Sequence, residues 1–558
     1  MAGKAIYADY TRYDNIPGFL FLLKSSWFAN FKEEKMNKTV KKMLALGLAA
    51  VMSVGILAGC GDKEASTDEK VLNFGCQMYS DGILDPASET NGAWNFMRFG
   101  AGEALFKFDD SMTPQPWLAE SADTEDYKTW TIKLKEGVKF SNGADMTATK
   151  VKESFDRLLK EGPNGSSTPE KYVPYETKIT ADDAANTVTF ELPDVNYNLK
   201  GNLAYPVCAV VDVEGTTDWT NGVIGTGPYA VESFQDQVGY TMVRNENYYE
   251  EVPYDKINIK FLGDASAKAI ALKSGEVDLV ENITNVSDIK ELEENSDFTV
   301  DIASGVRTGF AWINQKGVLG NAELRKAMLM AIDYDAICKS NTIGGLYTAG
   351  FSVLPSTLDY GYDKLDNPYA YDVEKAKATL DAAGIKDTDG DGYRELNGKN
   401  IELKFVSYEN RLLNDFSDAF TQYLDKVGIK VVADYGSSED QWDKLVAGDY
   451  DLNNNNWTTV GTGDPAEYMA NWYGKSESNY CGYKNAAYDA AYESMLKEAD
   501  PQKKAEIVKE MQQILVNDAV AIIDGYYNSS MIYSKKVEGA HIATADYYWI
   551  TNKIKPAK

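Results

Sequence analysis

The sequence predicts a mixed α/β protein with two or more lobes. The stretch from Cys60 to Lys558 is long enough to bury more than one hydrophobic core. Apolar residues make up 44% of the chain and aromatic residues 12%, which is typical of a globular protein and excludes a disordered one. Between residues 401 and 433, strand, helix and strand patterns follow one another, as in a βαβ unit.

The first half of the chain alternates short strands and helices. Residues 130–134 alternate polar and apolar side chains, as a half-buried strand does. Residues 147–159 place their apolar side chains on one helical face, and residues 225–229 form a turn into the next strand. The pattern predicts strands at residues 71–76, 130–134, 187–192, 230–234, 257–261 and 310–313, and helices at 147–159, 265–272 and 322–337.

The second half carries longer helices. A helix at residues 373–383 is predicted to end at Gly384, because glycine readily adopts the left-handed conformation that closes a helix. No internal repeat and no low-complexity tract is visible apart from Asn453 to Asn456. Further elements are predicted as strands at 401–406 and 429–433 and helices at 412–426, 486–497 and 501–516.

A targeting segment precedes the body of the chain. Lys38, Lys41 and Lys42 lead into an apolar run at residues 43–57, which is shorter than the roughly 20 residues that span a bilayer. This is the pattern of a secretion signal, and its L-A-G-C end resembles a bacterial lipobox. The resemblance implies cleavage before Cys60 and a diacylglyceryl anchor on its thiol. An uncleaved helix with a chance cysteine is the alternative.

These features divide the N-terminal region into three segments. Met36 directly precedes the basic residues, so we expect residues 1–35 to be a leader from a mis-assigned start and residues 36–59 to be the signal peptide. Residues 60–70 are small, polar and charged, which predicts a flexible tether.

Charge and composition exclude several function classes. The net charge is −29, and residues 1–59 hold eight Lys and Arg against four Asp and Glu, so the rest is more acidic still. Such acidity argues against a nucleic-acid partner. A single histidine, His541, argues against histidine-based catalysis and His-rich metal sites. The sequence contains no CxxC motif, which argues against a zinc site. Disulfide pairing is left open for Cys76, Cys208, Cys338 and Cys481.

Ordered sequence blocks indicate a family. They are E-A-L-F at 103–106, W-T-I-K-L-K-E-G-V-K-F-S-N-G at 130–143, G-T-G-P-Y at 225–229, R-N at 244–245, S-G-E-V-D at 274–278, A-I-D at 331–333 and G-Y at 482–483. From about Val71 to the C-terminus the chain resembles the extracellular solute-binding proteins of ABC importers, family 5, the oligopeptide and dipeptide binders.

The resemblance implies a two-lobed periplasmic-binding-protein-like fold, type II, cluster C, with an extra subdomain. Its lobes would close about a hinge on a ligand that contacts both of them. The first lobe would comprise residues 71–102, 222–312 and 525–558, with residues 103–221 as its subdomain and residues 313–524 as the second lobe.

The resemblance also implies a function. The chain would be a monomeric lipoprotein on the outer face of the cell membrane that captures peptides and delivers them to the membrane permease. It would have no cofactor and no enzymatic activity. A secreted hydrolase is the rival class, but the sequence presents no nucleophile with a base and no catalytic carboxylate pair.

The resemblance further implies where a ligand would lie. A tryptophan offers a large flat surface with one N–H donor, and relatives place one near a D-P block at the ligand, tyrosines on the final crossing strand and residues of an early first-lobe segment at the cleft edge. Core packing is the alternative for these side chains. The candidate ligand-binding residues are Trp457, Asp464, Tyr526, Tyr527, Asn91, Trp94 and Asn456.

The chain departs from the peptide-binding pattern in its charged groups. Many relatives carry an aspartate three residues after the tryptophan, where this chain has Val460, and some carry an arginine before it, where this chain has Asn456. A buried zwitterion needs a partner at each end. Peptides stay the leading expectation, with an oligosaccharide or a metal chelate as the alternative. The asparagines would hydrogen-bond a neutral ligand such as a sugar or form a turn.

An acidic loop resembles the first half of an EF-hand. Asp387, Asp389 and Asp391 occupy its positions 1, 3 and 5, and Glu395 occupies position 9. Position 12, normally a glutamate, is Gly398. The loop is a candidate for a structural Ca²⁺, with a solvated acidic turn as the alternative.

Overall fold

The structure, a computed structural model, describes residues 69–78, 82–263 and 265–558. The expected leader, signal peptide and lipidated Cys60 lie outside these residues, as does most of the expected tether. None of the helices in the described ranges combines the length and the hydropathy that a membrane crossing requires.

Strands occur along the whole described chain. They are β1 (Val71–Cys76), β2 (Phe106–Phe108), β3 (Pro114–Pro116), β4 (Ala119–Asp123), β5 (Thr129–Leu134), β6 (Lys178–Asp182), β7 (Thr187–Glu191), β8 (Tyr229–Gln235), β9 (Gly239–Arg244), β10 (Lys256–Phe261), β11 (Leu279–Glu281), β12 (Phe298–Ile313), β13 (Tyr347–Thr348), β14 (Glu395–Leu396), β15 (Lys399–Asn400), β16 (Glu402–Tyr408), β17 (Lys430–Gly436), β18 (Leu452–Thr458), β19 (Ala521–Ser534), β20 (Val537–Glu538) and β21 (Lys555–Pro556).

Helices separate these strands. They are α1 (Thr90–Arg98), α2 (Ala148–Glu161), α3 (Leu199–Asn202), α4 (Ala265–Ser274), α5 (Val286–Glu294), α6 (Ala322–Ala331), α7 (Tyr334–Cys338), α8 (Val373–Ala382), α9 (Leu413–Asp425), α10 (Ser438–Ala447), α11 (Ala466–Met469), α12 (Ala486–Met495) and α13 (Pro501–Asn517).

The main sheet is organised around two long antiparallel strands, β12 and β19. The strand order is β17-β16-β18-β12-β19-β11-β1-β10-β9-β8, and β13 also pairs with β19. The C-terminal part of β12 pairs with β18, whereas the C-terminal part of β19 pairs with β11 at the other end of the ladder. The two strands therefore run through both halves of the sheet and connect them.

The ladder between β12 and β19 is irregular where it passes from one half to the other. Residues 305–307 of β12 lie opposite Tyr527 alone in β19, and a second shift beside Gly309 leaves Asp524 as an extra residue of β19. Such bulges bend a strand and re-aim its side chains. We call residues 305–307 and 524–527 the hinge crossing.

The described residues form three hydrophobic cores. In the first lobe, β1 and its neighbours pack under Phe74, Phe96, Tyr229 and Trp549. In the second lobe, β16 and α9 pack through one core, and an aromatic cluster fills the opposite face of the sheet. The members of that aromatic cluster include Phe310, Trp312, Tyr468, Trp472 and Tyr488. The expected two-lobed α/β fold is confirmed.

A second, smaller sheet has the order β4-β5-β7-β6 and packs against α2. It lies inside residues 103–221, the expected subdomain. The domain boundaries themselves stay a prediction.

Most predicted elements are present, with one clear exception. The βαβ unit is confirmed, since β16 and β17 are parallel with α9 between them. The single helix predicted at residues 322–337 is wrong. It breaks after Ala331, and Asp333 caps α7 by accepting a 2.9 Å hydrogen bond from the backbone N–H of Ala336.

The asparagine run forms a strand, so its interpretation as a turn is wrong. Asn453 to Asn456 lie in β18 and are buried. Two of their amides find partners on other elements: Asn454 donates to the Leu413 carbonyl and the Ser417 hydroxyl, and Asn455 accepts from Gln441. Buried amides are tolerated in a strand when they find such partners.

Candidate functional site

Trp457 lies at the end of β18, where that strand pairs with β12 next to the hinge crossing. Its backbone is opposite Thr308. The ring is half-buried and meets Phe310 and Trp312 edge-on at centroid distances of 5.7 and 5.8 Å. Part of an aromatic surface is therefore held rigidly between the lobes, as a ligand platform requires.

Asn456 belongs to a connected group beside this ring. Its side-chain N–H donates to the Tyr347 hydroxyl at 3.1 Å, and that hydroxyl donates to the Arg411 carbonyl at 2.7 Å. The Arg411 guanidinium lies 5.5 Å above the Tyr527 ring, which packs edge-on against Tyr347. The side-chain oxygen of Asn456 has no hydrogen-bond partner among the described residues.

Arg307 contributes a guanidinium that the sequence interpretation did not include. It lies in the bulged part of β12, is half-buried, and donates to the Asn456 carbonyl at 3.3 Å. Burial and the positive charge of Arg411 lower the pKa of Arg307 to about 10. Arg307 is therefore charged at neutral pH. No local pattern around residue 307 marks it as a cleft residue.

The first lobe supplies an aromatic wall. Trp94 on α1 donates its indole N–H to the Tyr205 hydroxyl at 3.2 Å and packs against Tyr547 at 5.0 Å. Arg98 lies 4.7 Å from the Trp94 ring. Asn91, on the same helix, is exposed. Trp94 is thus in the wall, whereas Asn91 faces solvent at its edge.

The segment after Trp457 reaches across to the first lobe. The Tyr547 hydroxyl donates to the Gly461 carbonyl at 3.0 Å, and the Asn198 amide donates to the Thr462 carbonyl at the same distance. We call residues 460–464 the closing loop. A groove of about 480 Å³ beside it is lined by residues of both lobes, among them Met112, Asn198 and Lys504.

Asp464 does not offer a free charge to a ligand. Its carboxylate pairs with Lys504 at 2.7 Å and also accepts from the backbone N–H of Ala466 at 2.8 Å. Val460, the position at which relatives carry an acid, is fully buried. The closing loop therefore provides no unpaired carboxylate for an amino group.

The two tyrosines of β19 differ in position. Tyr527 lies under Arg411, and burial raises its pKa to about 12. Tyr526 is 0% exposed and donates its hydroxyl to the Ser352 carbonyl at 2.9 Å. Tyr526 therefore packs within the second lobe and is not brought to the cleft with Tyr527, because neighbouring residues of a strand face opposite sides.

The acidic loop brings three of its four candidate ligands together. Carboxylate oxygens of Asp387, Asp389 and Glu395 lie within 4.8 Å of one another. Asp391 lies outside that group and bonds Asn400 instead. Asp387 also accepts from backbone N–H groups of its own turn. The geometry suits a hard cation and equally suits a self-stabilised turn.

Elsewhere in the described chain, the four cysteines are free and buried.

Comparisons with known proteins agree with this architecture. Residues 113–480 match the model of the bacterial extracellular solute-binding proteins, family 5. The chain is 26% identical over 432 residues to a probable D,D-dipeptide-binding periplasmic protein, DdpA, of Escherichia coli, covering 75% of this chain and 80% of that protein.

Solved structures share the fold. NikA from Brucella suis in complex with Fe(III)-EDTA matches with a TM-score of 0.77 and 22% identity over 88% of this chain and 100% of its own. AppA from Bacillus subtilis in complex with a nonapeptide matches with a TM-score of 0.68 and 20% identity, with the same coverage. Since the family match spans well over half of the chain, this protein belongs to the bacterial extracellular solute-binding proteins, family 5.

Proposed function

We propose that this chain is the peptide-capturing component of an ABC importer and holds its ligand between the two lobes. The observation that carries the proposal is the hinge crossing together with the closing loop. Two bulged strands connect the lobes, and one short loop of the second lobe hydrogen-bonds across to the first. A ligand that touches both lobes selects this closed arrangement.

The ligand class rests on the relatives. DdpA is named for a D,D-dipeptide, and AppA was solved with a nonapeptide. A metal chelate is the second candidate, since NikA from Brucella suis was solved with Fe(III)-EDTA. Arg307, which pairs with no carboxylate among the described residues and bonds the Asn456 carbonyl, favours that candidate, because a carboxylate-rich chelate would neutralise its charge.

The test combines cargo identification with titration. Native mass spectrometry of gently purified protein should detect a co-purified peptide, and isothermal titration with peptides of two to nine residues should give saturable binding. Small-angle scattering should show a smaller radius of gyration with the bound peptide. Binding of Fe(III)-EDTA but of no peptide would overturn the peptide assignment and support the chelate.

We further propose that a lipid on Cys60 tethers the protein to the outer face of the cell membrane, where it meets the permease as a monomer. The L-A-G-C motif and the family support this placement. Mass spectrometry should find a diacylglyceryl group on Cys60, and Cys60→Ala should release the protein from membranes. The proposal includes no enzymatic activity, so the ligand should be recovered chemically unchanged.

A further inference from the structure

A second groove lies within the first lobe, away from the candidate residues of the interlobe cleft. Its volume is about 460 Å³, which is the size of a small-molecule site. Its lining comes from residues between 97 and 117, from Lys135, from residues between 228 and 250, and from the C-terminal segment 539–553. None of the seven candidate ligand residues of the cleft belongs to this lining. The groove is therefore a separate concave site.

Aromatic rings form the walls of this groove. Trp117 meets Tyr548 edge-on at a centroid distance of 5.5 Å, and Tyr248 packs against Tyr249 at 4.3 Å. The Tyr548 hydroxyl accepts from the backbone N–H of Phe108 at 3.0 Å, which fixes the ring. All four rings are half-buried, so each keeps part of its surface exposed. A flat apolar ligand body can lie against such walls.

Two lysines lie above these rings without a carboxylate partner. The Lys107 ammonium is 5.5 Å from the centroid of Trp117, and the Lys135 ammonium is 4.6 Å from that of Tyr249. Across the described residues, no carboxylate oxygen lies within 4.0 Å of either ammonium. Burial, together with repulsion from Lys135 and Lys553, lowers the pKa of Lys107. An anion bound beside the two ammonium groups would relieve their repulsion.

Two glutamates attract Lys107 from farther away, and both are engaged elsewhere. Glu103 is fully buried and accepts from the hydroxyls of Tyr248 and Tyr249 at 2.9 and 2.8 Å. Glu250 pairs with Lys553 at 2.8 Å. Neither carboxylate therefore neutralises the lysines above the rings.

The two aspartates in the lining also have partners within the protein. Asp109 accepts from the backbone N–H groups of Ser111 and Thr113, both at 3.0 Å. Asp110 lies 3.5 Å from the imidazole of His541, and both side chains are more than half exposed. The carboxylates of the groove are thus matched, whereas the ammonium groups of Lys107 and Lys135 are not.

This pair of lysines contrasts with the rest of the molecule. The net charge of the chain is −29, so its general surface repels anions. We propose that the groove is a second ligand site, which binds a small organic anion with its flat apolar body against the aromatic walls and its carboxylate or phosphate facing Lys107 and Lys135. The site is independent of the proposed function, because it uses none of the candidate ligand residues of the interlobe cleft.

The test uses three probes that share one ring: phenylacetate, phenyl phosphate and the neutral phenylacetamide. Ligand-observed NMR titration of the full chain at low ionic strength should give saturable binding of an anion, about tenfold or more tighter than that of the amide, because the amide cannot pair with an ammonium group. Added salt should weaken the anion and not the amide. The tighter of the two anions identifies a carboxylate or a phosphate as the preferred group.

Variants assign the binding to the groove. Lys107→Gln and Lys135→Gln should each weaken the anion by about fivefold or more, whereas Lys135→Arg should keep most of the affinity. The matched control is Lys475→Gln. Lys475 also lies above a tyrosine ring, 5.7 Å from the centroid of Tyr473, but it is outside the groove and pairs with a glutamate. This control should bind the anion as the native protein does, and thermal melts confirm that each variant is folded.

Three outcomes would overturn the proposal. The first is equal affinity for the anions and the amide, or no saturable binding of any probe. The second is an unchanged anion affinity in both groove variants, which would place the anion elsewhere on the protein. The third is a loss in Lys475→Gln as large as that in the groove variants, which would indicate non-specific attraction to lysines.

Discussion

At the scale of single residues, Trp457 combines a fixed position with partial exposure. Its ring is held by Phe310 and Trp312 and also approaches Trp442 at 6.3 Å on the outer side. Trp457→Ala should weaken peptide binding by about 2 kcal/mol, because a rigid aromatic platform is lost at the centre of the contact. Isothermal titration checks this value.

The control for that variant is Trp442→Ala. Trp442 is 39% exposed and lies behind Trp457, so its removal should disturb packing without removing a contact to the ligand. An unchanged peptide affinity in Trp457→Ala, or an equal loss in both variants, would refute a direct role for Trp457.

Glu103 makes stability depend on pH. It is 0% exposed and accepts hydrogen bonds from the hydroxyls of Tyr248, Tyr249 and Thr226 at 2.8 to 2.9 Å. Burial raises its pKa from 4.5 to about 7, although the three donors oppose that rise. Between these two pKa values the native state therefore holds a proton that the unfolded chain has released. The contribution of Glu103 to the free energy of unfolding is complete below pH 4.5 and is lost as pH rises through 7.

The prediction compares the native protein with Glu103→Gln, which cannot ionise. Between pH 4.5 and roughly pH 8, the free energy of unfolding of the native protein should fall by about 3 kcal/mol more than that of the variant. Urea titrations at both pH values measure this difference. Parallel pH profiles would show that Glu103 does not hold the proton.

At the scale of elements, amphipathic helices and the βαβ unit were predictable because each has its own periodicity. Strand β12 was predicted only at residues 310–313, since its first part mixes polar and apolar side chains without a clear period. Strand β18 was not predicted through Asn453 to Asn456, because asparagine is depleted in strands. Hydrogen bonds from Gln441 and to Ser417, distant in sequence, override that preference.

The acidic loop between α8 and β14 makes a testable element. We expect Ca²⁺ added to chelator-treated protein to raise the melting temperature, since an ion that binds only the native state stabilises it. Asp389→Asn should abolish the rise, because Asp389 belongs to the cluster of three carboxylates. Asp391→Asn is the control and should retain it. A melting temperature indifferent to Ca²⁺ would identify the loop as a solvated acidic turn.

At the scale of the whole molecule, the ordered family blocks were enough to predict two lobes and a hinge. The charged part of the cleft was not predictable in the same way. Arg307 comes from β12, Arg411 from the segment before α9, and Asn456 from β18. Only the crossing of β12 and β19 brings these distant segments together, and one sequence without its fold contains no sign of that proximity.

Closure of the lobes depends on Gly463 in the closing loop. Its φ is +77°, and a Cβ there would lie 2.6 Å from the carbonyl oxygen of Met112 in the first lobe. Alanine would collide with that carbonyl in this arrangement of the lobes, so Gly463→Ala should weaken peptide binding by roughly tenfold or more, measured by titration. Gly448→Ala is the matched control. Gly448 has a φ of +73°, and a Cβ built on it would have no atom within 4 Å. This variant therefore carries only the left-handed strain of about 1 kcal/mol. Equal affinity in the two variants would mean that peptide binding does not require this contact between the lobes.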